Sequence, residues 1–380
     1  MFGNSSEWIA ASYNDLGLVY GQSDPEKALS FYEKALRIYQ QQHEHIHPKI
    51  AIALTNIGFA YTALELYGDA TNNFEEALKI WGAIYKNAHP TKAFLNLSLG
   101  EIYRKLKNFD VASAYIGKAI DLYQRSVGNK HPDLAVAYNA LGNLQLELGR
   151  PDEALTLYQH ALVSNISSFN EMDVDRLPTM QDYYNGRTLL NTMLYRARAL
   201  ESRYLTKSIR MKDLASARDA LLSCDTLVSQ LRQQIANESD KIALGAVAAQ
   251  AYQSGVRICA AAADVALHKR AWNHQAFYFA EKGKSAVLLE GIAEVKAKQF
   301  ARIPEPLLEE ERQLRAVITL DMTRLAQKPS TDEEHRLREQ LFQSRRQYEQ
   351  FIGRLEAEFP QYYNLKYNTA VPAVSELQRH

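Results

Sequence analysis

A His-Pro dipeptide returns at one fixed interval: His47-Pro48, His89-Pro90 and His131-Pro132 stand 42 residues apart. Gly58, Gly100 and Gly142 keep the same step, as do Ala70, Ala112 and Ala154, and Ala77, Ala119 and Ala161. Four columns with one period mean a chain assembled from a repeated unit. A unit of this size cannot bury its apolar face alone, so neighbours must stack into one elongated core.

Within each unit the apolar spacing is helical. Leu54, Ile57, Gly58 and Tyr61 share one face, and Ala70, Phe74 and Ala77 share the next. Glycine and alanine fall where two helices approach closely. The boundary proline suits a first helical turn, where its missing N–H costs nothing. Gly68-Asp69 marks the turn between the two helices, as does Gly149-Arg150-Pro151 in the last clear unit. A first unit fits with one residue deleted in its turn: Tyr13, Leu16, Gly17 and Tyr20, then Ala28, Tyr32 and Ala35. This column order resembles the tetratricopeptide repeat (TPR), and the 42-residue step with a His-Pro boundary is similar to the longer variant in kinesin light chains. Four units over residues 1–165 are expected.

His43, Glu44 and His47 spell H-E-x-x-H, the pattern in which two histidines one helical turn apart hold zinc beside a glutamate base. A zinc hydrolase built on residues 43–47 is therefore an alternative. Against it, Pro48 breaks the pattern at an inter-helix joint, and the boundary histidines at 89 and 131 have no such surroundings. No metal and no cofactor is expected.

Residues 166–182 lose the pattern and read as a polar linker. Longer, degenerate TPR-like units are expected over 183–300, with Ala217, Leu221 and Cys224 in one column and Ala276, Ala280 and Gly283 in another. Cys224 and Cys259 read as small buried hydrophobes. "GKS" at 283–285 lacks the earlier glycine of a phosphate loop, since Tyr278 stands there. Residues 301–362 read as two charge-laced amphipathic helices joined at "KPSTD", with Thr331 and Glu334 as a capping box. The expected fold class is all-α: a right-handed TPR-type solenoid of helical hairpins, then degenerate helical repeats, then a long antiparallel hairpin.

The order of repeats, "AFYFAEKGKSAVLLEGIAE", a helical hairpin and "YNLKYNTAVPAVSELQ" resembles the region preceding the peptidase in CHAT proteins, caspase-like domains fused to TPRs. The resemblance implies that residues 363–380 lead into an α/β peptidase domain carrying the catalytic histidine and cysteine. It implies too that no residue here is catalytic, and that the chain is a partner-sensing, regulatory region.

The 44 basic and 44 acidic side chains cancel, so nothing marks an electrostatic footprint for nucleic acid or an anionic membrane. No apolar run reaches the length of a membrane span. Two cysteines cannot make a disulfide framework, which points to the cytoplasm. A protein or peptide partner is expected in a concave groove lined by the first helix of each unit. Counting from the glycine column, the groove positions are Asn14 and Leu18; Thr55, Phe59, Thr62 and Ala63; Leu97, Glu101, Arg104 and Lys105; and Asn139, Asn143, Leu146 and Glu147. Asparagines there can both donate to and accept from a peptide backbone. Asn14 and Asn139 are similar to the groove asparagines of kinesin light chains, a ladder that Thr55 and Leu97 interrupt. A stand-alone peptide adaptor of that kind is the alternative function, and self-association of the solenoid is a further one.

Overall fold

The computed structural model describes residues 3–21, 23–234, 238–300, 304–326 and 331–359. These residues form fourteen α-helices and one π-helical turn, and their sole β feature is an isolated bridge between Ile166 and Tyr183. Contacts divide the chain into two units, residues 1–164 and 165–380.

The first unit is a run of helical hairpins: α1 (Gly3–Tyr20) with α2 (Pro25–Gln42), α3 (Pro48–Ala63) with α4 (Tyr67–Ile84), α5 (Pro90–Lys105) with α6 (Phe109–Val127), and α7 (Pro132–Glu147) with α8 (Pro151–Asn165). From α1 to α7 each helix packs on the next, and α7 meets α8 at Gly142 and Tyr158, which is the geometry of a TPR-type solenoid. Glycine sets the crossing. A Cβ at Gly17, Gly58, Gly100 or Gly142 would come within 3.0 Å of Tyr32, Phe74, Ile116 or Tyr158 on the partner helix. The alanine columns at 70, 77, 112, 119, 154 and 161 are fully buried between these helices.

The His-Pro boundary has a mechanical explanation. His47, His89 and His131 are the N-caps of α3, α5 and α7, in extended conformation, with proline at the first helical position. Each imidazole Nδ1 accepts a hydrogen bond from the second backbone N–H of its helix, at 3.3 Å from Lys49, 3.2 Å from Thr91 and 3.1 Å from Asp133. An orphan donor of the first turn is thereby satisfied by a ring rather than a hydroxyl or carboxylate.

The turn falls at Gly149 as expected in the last unit, but not at Gly68-Asp69 in the second. Gly68 is already within α4, and the chain reverses earlier, at Glu65, which is left-handed with φ 60°. Lys107 (φ 57°) and Gly149 (φ 72°) hold the same repeat position. In all three the next amide donates back to Tyr61, Tyr103 or Gln145 at 2.9 Å, and the left-handed residue itself donates to Thr62, Arg104 or Leu146. That pair of bonds is a Schellman closure, which satisfies the last carbonyls of the helix.

In the second unit, α9 (Gly186–Arg203), a π-turn (Tyr204–Ser208), α10 (Met211–Gln234), α11 (Glu238–Val265) and α12 (Lys269–Phe300) pack consecutively. A Cβ at Gly255 would run into Phe279, so α11 and α12 approach closely there, as α3 and α4 do at Gly58. Ala217, Leu221, Cys224 and Cys259 are fully buried. Asp225 ties three helices together: it accepts from Tyr252 (2.7 Å) and Tyr278 (2.5 Å) and pairs with Lys282 at 3.4 Å. Burial beside this carboxylate pushes both phenols above their ordinary pKa.

Residues 166–185 lack helix but are pinned. Asn165 and Asn185 exchange hydrogen bonds at 2.8 and 3.0 Å, and Asn185 caps α9. Arg196 is buried and donates to the Val174 carbonyl, and desolvation lowers its pKa to about 10. The last pair, α13 (Glu305–Ala326) and α14 (Thr331–Glu358), is antiparallel: Glu310 meets Arg354, Arg315 meets Tyr348, and Met322 meets Arg345. Ile318, Leu341, Tyr348, Phe351, Ile352 and Leu355 form its core. The Thr331 capping box and the 363–380 segment lie outside the described side chains and residues.

Candidate interaction face on the first helices

The first helices α3, α5 and α7 are each buried against both neighbouring second helices, which leaves a narrow open stripe. Along α3 the stripe runs through Ile52, Asn56, Phe59 and Ala63; along α5 through Phe94, Ser98, Glu101 and Lys105; along α7 through Val136, Asn143 and Glu147. Spacing by three or four residues keeps these on one helical face.

The expected groove residues divide against this stripe. Thr55, Leu97 and Asn139, three residues before the glycine, are buried. The Thr55 hydroxyl donates to the Ala51 carbonyl at 2.7 Å, and its burial keeps the remaining lone pairs from a partner. The polar position open to solvent is one residue later, at Asn56 and Ser98, and sequence counting missed it. Asn14 is half-buried and accepts from the Asn56 amide at 2.7 Å, so one asparagine pair links α1 to α3. Asn143 accepts from the Tyr158 hydroxyl at 2.8 Å. Phe59 is 40% exposed, with its ring 5.0 Å from Phe74 and 5.5 Å from Phe94, so it joins two units at the open surface. Lys105 is exposed, its ammonium 5.8 Å from the Tyr67 ring. Leu18 and Ala63 are exposed, Leu146 is half-buried, and Thr62 bonds the Gly58 carbonyl.

Glu101, Arg104 and Glu147 are brought together. The Arg104 guanidinium donates to Glu101 at 2.9 and 3.2 Å and to Glu147 on the following hairpin. Burial alone would lower the arginine pKa, but the two carboxylates outweigh it and hold it above the ordinary value. The stripe is thus apolar and aromatic around Phe59, Phe94 and Ile52, and charged around Arg104. Ile52, Phe94 and Val136 share one repeat column and were also missed; the available signal was an apolar column outside the packing positions.

The H-E-x-x-H residues do not form a zinc site. His43 ends α2, its backbone N–H bonding Tyr39, while His47 starts α3. Their rings stack flat at 3.6 Å, His43 Nε2 lies 3.1 Å from Glu7, and His47 Nδ1 is engaged by the Lys49 amide. Desolvation, then the neighbouring His43 and Lys49, lower the His47 pKa. Both rings serve the helix joint. Among the described residues, no helix is long and apolar enough to cross a membrane.

A tetratricopeptide-repeat family model matches residues 9–49 and again 50–91, and a second tetratricopeptide-repeat model matches residues 91–162. No curated protein matches the chain. Among solved structures, BtubC (BKLC) from P. vanneervenii is 18% identical, with a TM-score of 0.46, over 62% of this chain and 92% of that one. A putative kinesin light chain with nearly identical TPR-like repeats from Podosopora anserina is 15% identical, TM-score 0.45, over 58% and 95%. The Rap conjugation gene regulator of plasmid pLS20, in complex with the Phr* peptide, is 15% identical, TM-score 0.43, over 93% and 75%. Residues 9–162 are accordingly tetratricopeptide repeats.

Proposed function

We propose that the chain is a protein-interaction scaffold whose open stripe on α3, α5 and α7 receives an extended peptide segment of a partner. The single observation carrying this is the composition of the stripe. It combines an aromatic anchor (Phe59), amide and hydroxyl groups able to pair a peptide backbone (Asn56, Ser98, Asn143) and a charged end (Arg104, Lys105, Glu147) on one continuous face. Such a face gives affinity through the apolar anchor and direction through hydrogen bonds. Glu101 and Glu147 hold the Arg104 side chain in place, so an acidic group on the partner would compete for an already oriented guanidinium.

The order of sequence motifs supports a finer proposal: the scaffold is the partner-sensing region of a CHAT-type cysteine protease. Partner binding then shifts the peptidase only if the partner has different affinities for two states of the scaffold. Reading the parent gene beyond residue 380 separates this from a kinesin-light-chain-like adaptor, because only the first is followed by an α/β domain with histidine and cysteine. The scaffold itself is tested by affinity capture with Phe59→Ala and Arg104→Glu variants. Loss of the same partners from both supports the stripe as the site, and unchanged capture moves the site elsewhere.

A further inference from the structure

A cavity of about 310 Å³ opens within residues 165–380, where the turn before α9, the end of α10 and the middle of α14 converge. Asp182, Gln230, Arg345, Arg346 and Glu349 supply its polar wall. We propose that this cavity binds a small zwitterion of the amino-acid type, with its carboxylate on Arg345 and its ammonium group on Gln230 and the acidic pair Asp182 and Glu349.

Two unmet hydrogen-bonding groups in the wall carry the inference. Arg345 Nε is shielded from solvent and has no hydrogen-bond partner, and its Nη2 donates to the weak Met322 sulfur at 4.0 Å. Among the described residues no carboxylate stands within ion-pair distance of this guanidinium. Gln230 Oε1 is likewise shielded and without a donor. A shielded guanidinium N–H left without an acceptor is costly, and native structures supply a partner for such groups. Here one unmet donor carries positive charge and one unmet acceptor lies on the same cavity, so the missing partner has an anionic acceptor and a donor of its own.

The chemistry of the remaining wall narrows the class. A simple anion such as phosphate would meet Arg345 and Arg346 but would also face Asp182 and Glu349. A simple amine would suit the carboxylates and leave the arginine unpaired. A molecule with both charges a few bonds apart answers all four side chains. The cavity lies at the lower end of the roughly 300–1,000 Å³ span of small-molecule sites, which fits a single amino acid rather than a nucleotide. Desolvation holds the Arg345 pKa below its ordinary value against the pull of Tyr183 and Glu349, and raises that of Glu349 against the pull of Arg345 and Arg346.

The test is thermal denaturation and calorimetry of the full chain against each free L-amino acid, with acetate and methylamine as single-charge controls. At about 10 mM, above the Kd of even a weak millimolar ligand, a subset of amino acids is expected to raise the Tm while neither control does. Arg345→Met keeps the length of the side chain and is expected to weaken binding at least about tenfold, the loss of a charge-assisted contact. Its own Tm should stay level or rise, because a shielded, unmet guanidinium donor is gone. Gln230→Leu should weaken binding as well, and it decides the matter alone if Arg345→Met does not fold. No shift with any amino acid overturns the proposal. So does an equal shift with acetate, or binding that survives in the folded variants.

Discussion

Arg104 on α5 binds Glu147 on α7, and the same guanidinium holds Glu101 one turn back on its own helix. One side chain thus couples two successive repeats at the open surface. A rigid, doubly engaged arginine loses little freedom on meeting a partner.

The pair is partly exposed, with side-chain accessibilities of 20% and 41%, so its structural contribution is small. A double-mutant cycle on Arg104→Ala and Glu147→Ala should give a coupling of about 0.5–1 kcal/mol in unfolding free energy, falling with added salt. A coupling near zero would mean that the two side chains part in solution, and that Arg104 is not pre-oriented for binding.

The histidine caps predict a cap-specific substitution pattern. His89→Ala should destabilise the chain by about 1 kcal/mol, while His89→Asn, which also caps well, should recover most of it. The caps also predict a direction with pH. Burial lowers the pKa of His89, and of His47, below the ordinary imidazole value, so the unfolded chain binds these protons more readily than the folded one. Their contribution is therefore fully present above the unfolded value of about 6.5 and is lost as the pH falls below it. Urea denaturation from pH 8 to pH 5 checks this. In the His89→Asn variant the acid-side loss should shrink, and an unchanged slope would remove the histidine from the explanation.

Glu65 and Lys107 occupy the left-handed position that Gly149 fills in the last unit. Side chains there crowd the following carbonyl, whereas glycine does not. Glu65→Gly and Lys107→Gly should each stabilise by up to about 1 kcal/mol, against the usual rule that glycine destabilises. Chemical denaturation reads this directly. Gly149→Ala should move the other way.

The eight helices of the repeat region could be read from the chain because their packing columns are glycine and alanine, residues that few other roles require at a fixed interval. The turns could not, since two of the three left-handed positions carry Glu65 and Lys107 and only the third is a glycine. The open stripe was displaced by one residue for a different reason. Thr55 and Asn139 are polar and were placed outward, yet a first helix packed on both sides buries a wide arc, and the Thr55 hydroxyl is satisfied by the Ala51 carbonyl inside it. In the second unit Gly255 and Phe279 repeat the contact of Gly58 and Phe74, but they stand farther apart in sequence on longer helices, which hides the period. The polar groups that matter most there meet only through tertiary packing, Asp225 with Tyr252 and Tyr278, and Gln230 with Arg345 on the cavity wall.

The repeat register also predicts where the solenoid can associate. Ile50, Ala53, Ile57 and Ala60 of α3 are 1%, 0%, 3% and 4% exposed, and Ile57 and Ala60 pack on Ala28 and Tyr32 of the preceding hairpin. The same columns in α1 are Ile9, Ser12, Leu16 and Val19, of which the three apolar members are 47%, 41% and 72% exposed. The first helix therefore presents, uncovered among the described residues, the face that every later first helix buries. A second copy offering its own α1 would cover it, and burying these side chains favours association by about 25 cal/mol per Å². Sedimentation of the chain at rising concentration should show a monomer–dimer equilibrium, and Val19→Glu should shift it toward monomer while the unfolding free energy changes by no more than about 0.5 kcal/mol, as for an exposed site. A chain that remains monomeric at high concentration, or a dimer indifferent to Val19→Glu, would place self-association on another surface or remove it.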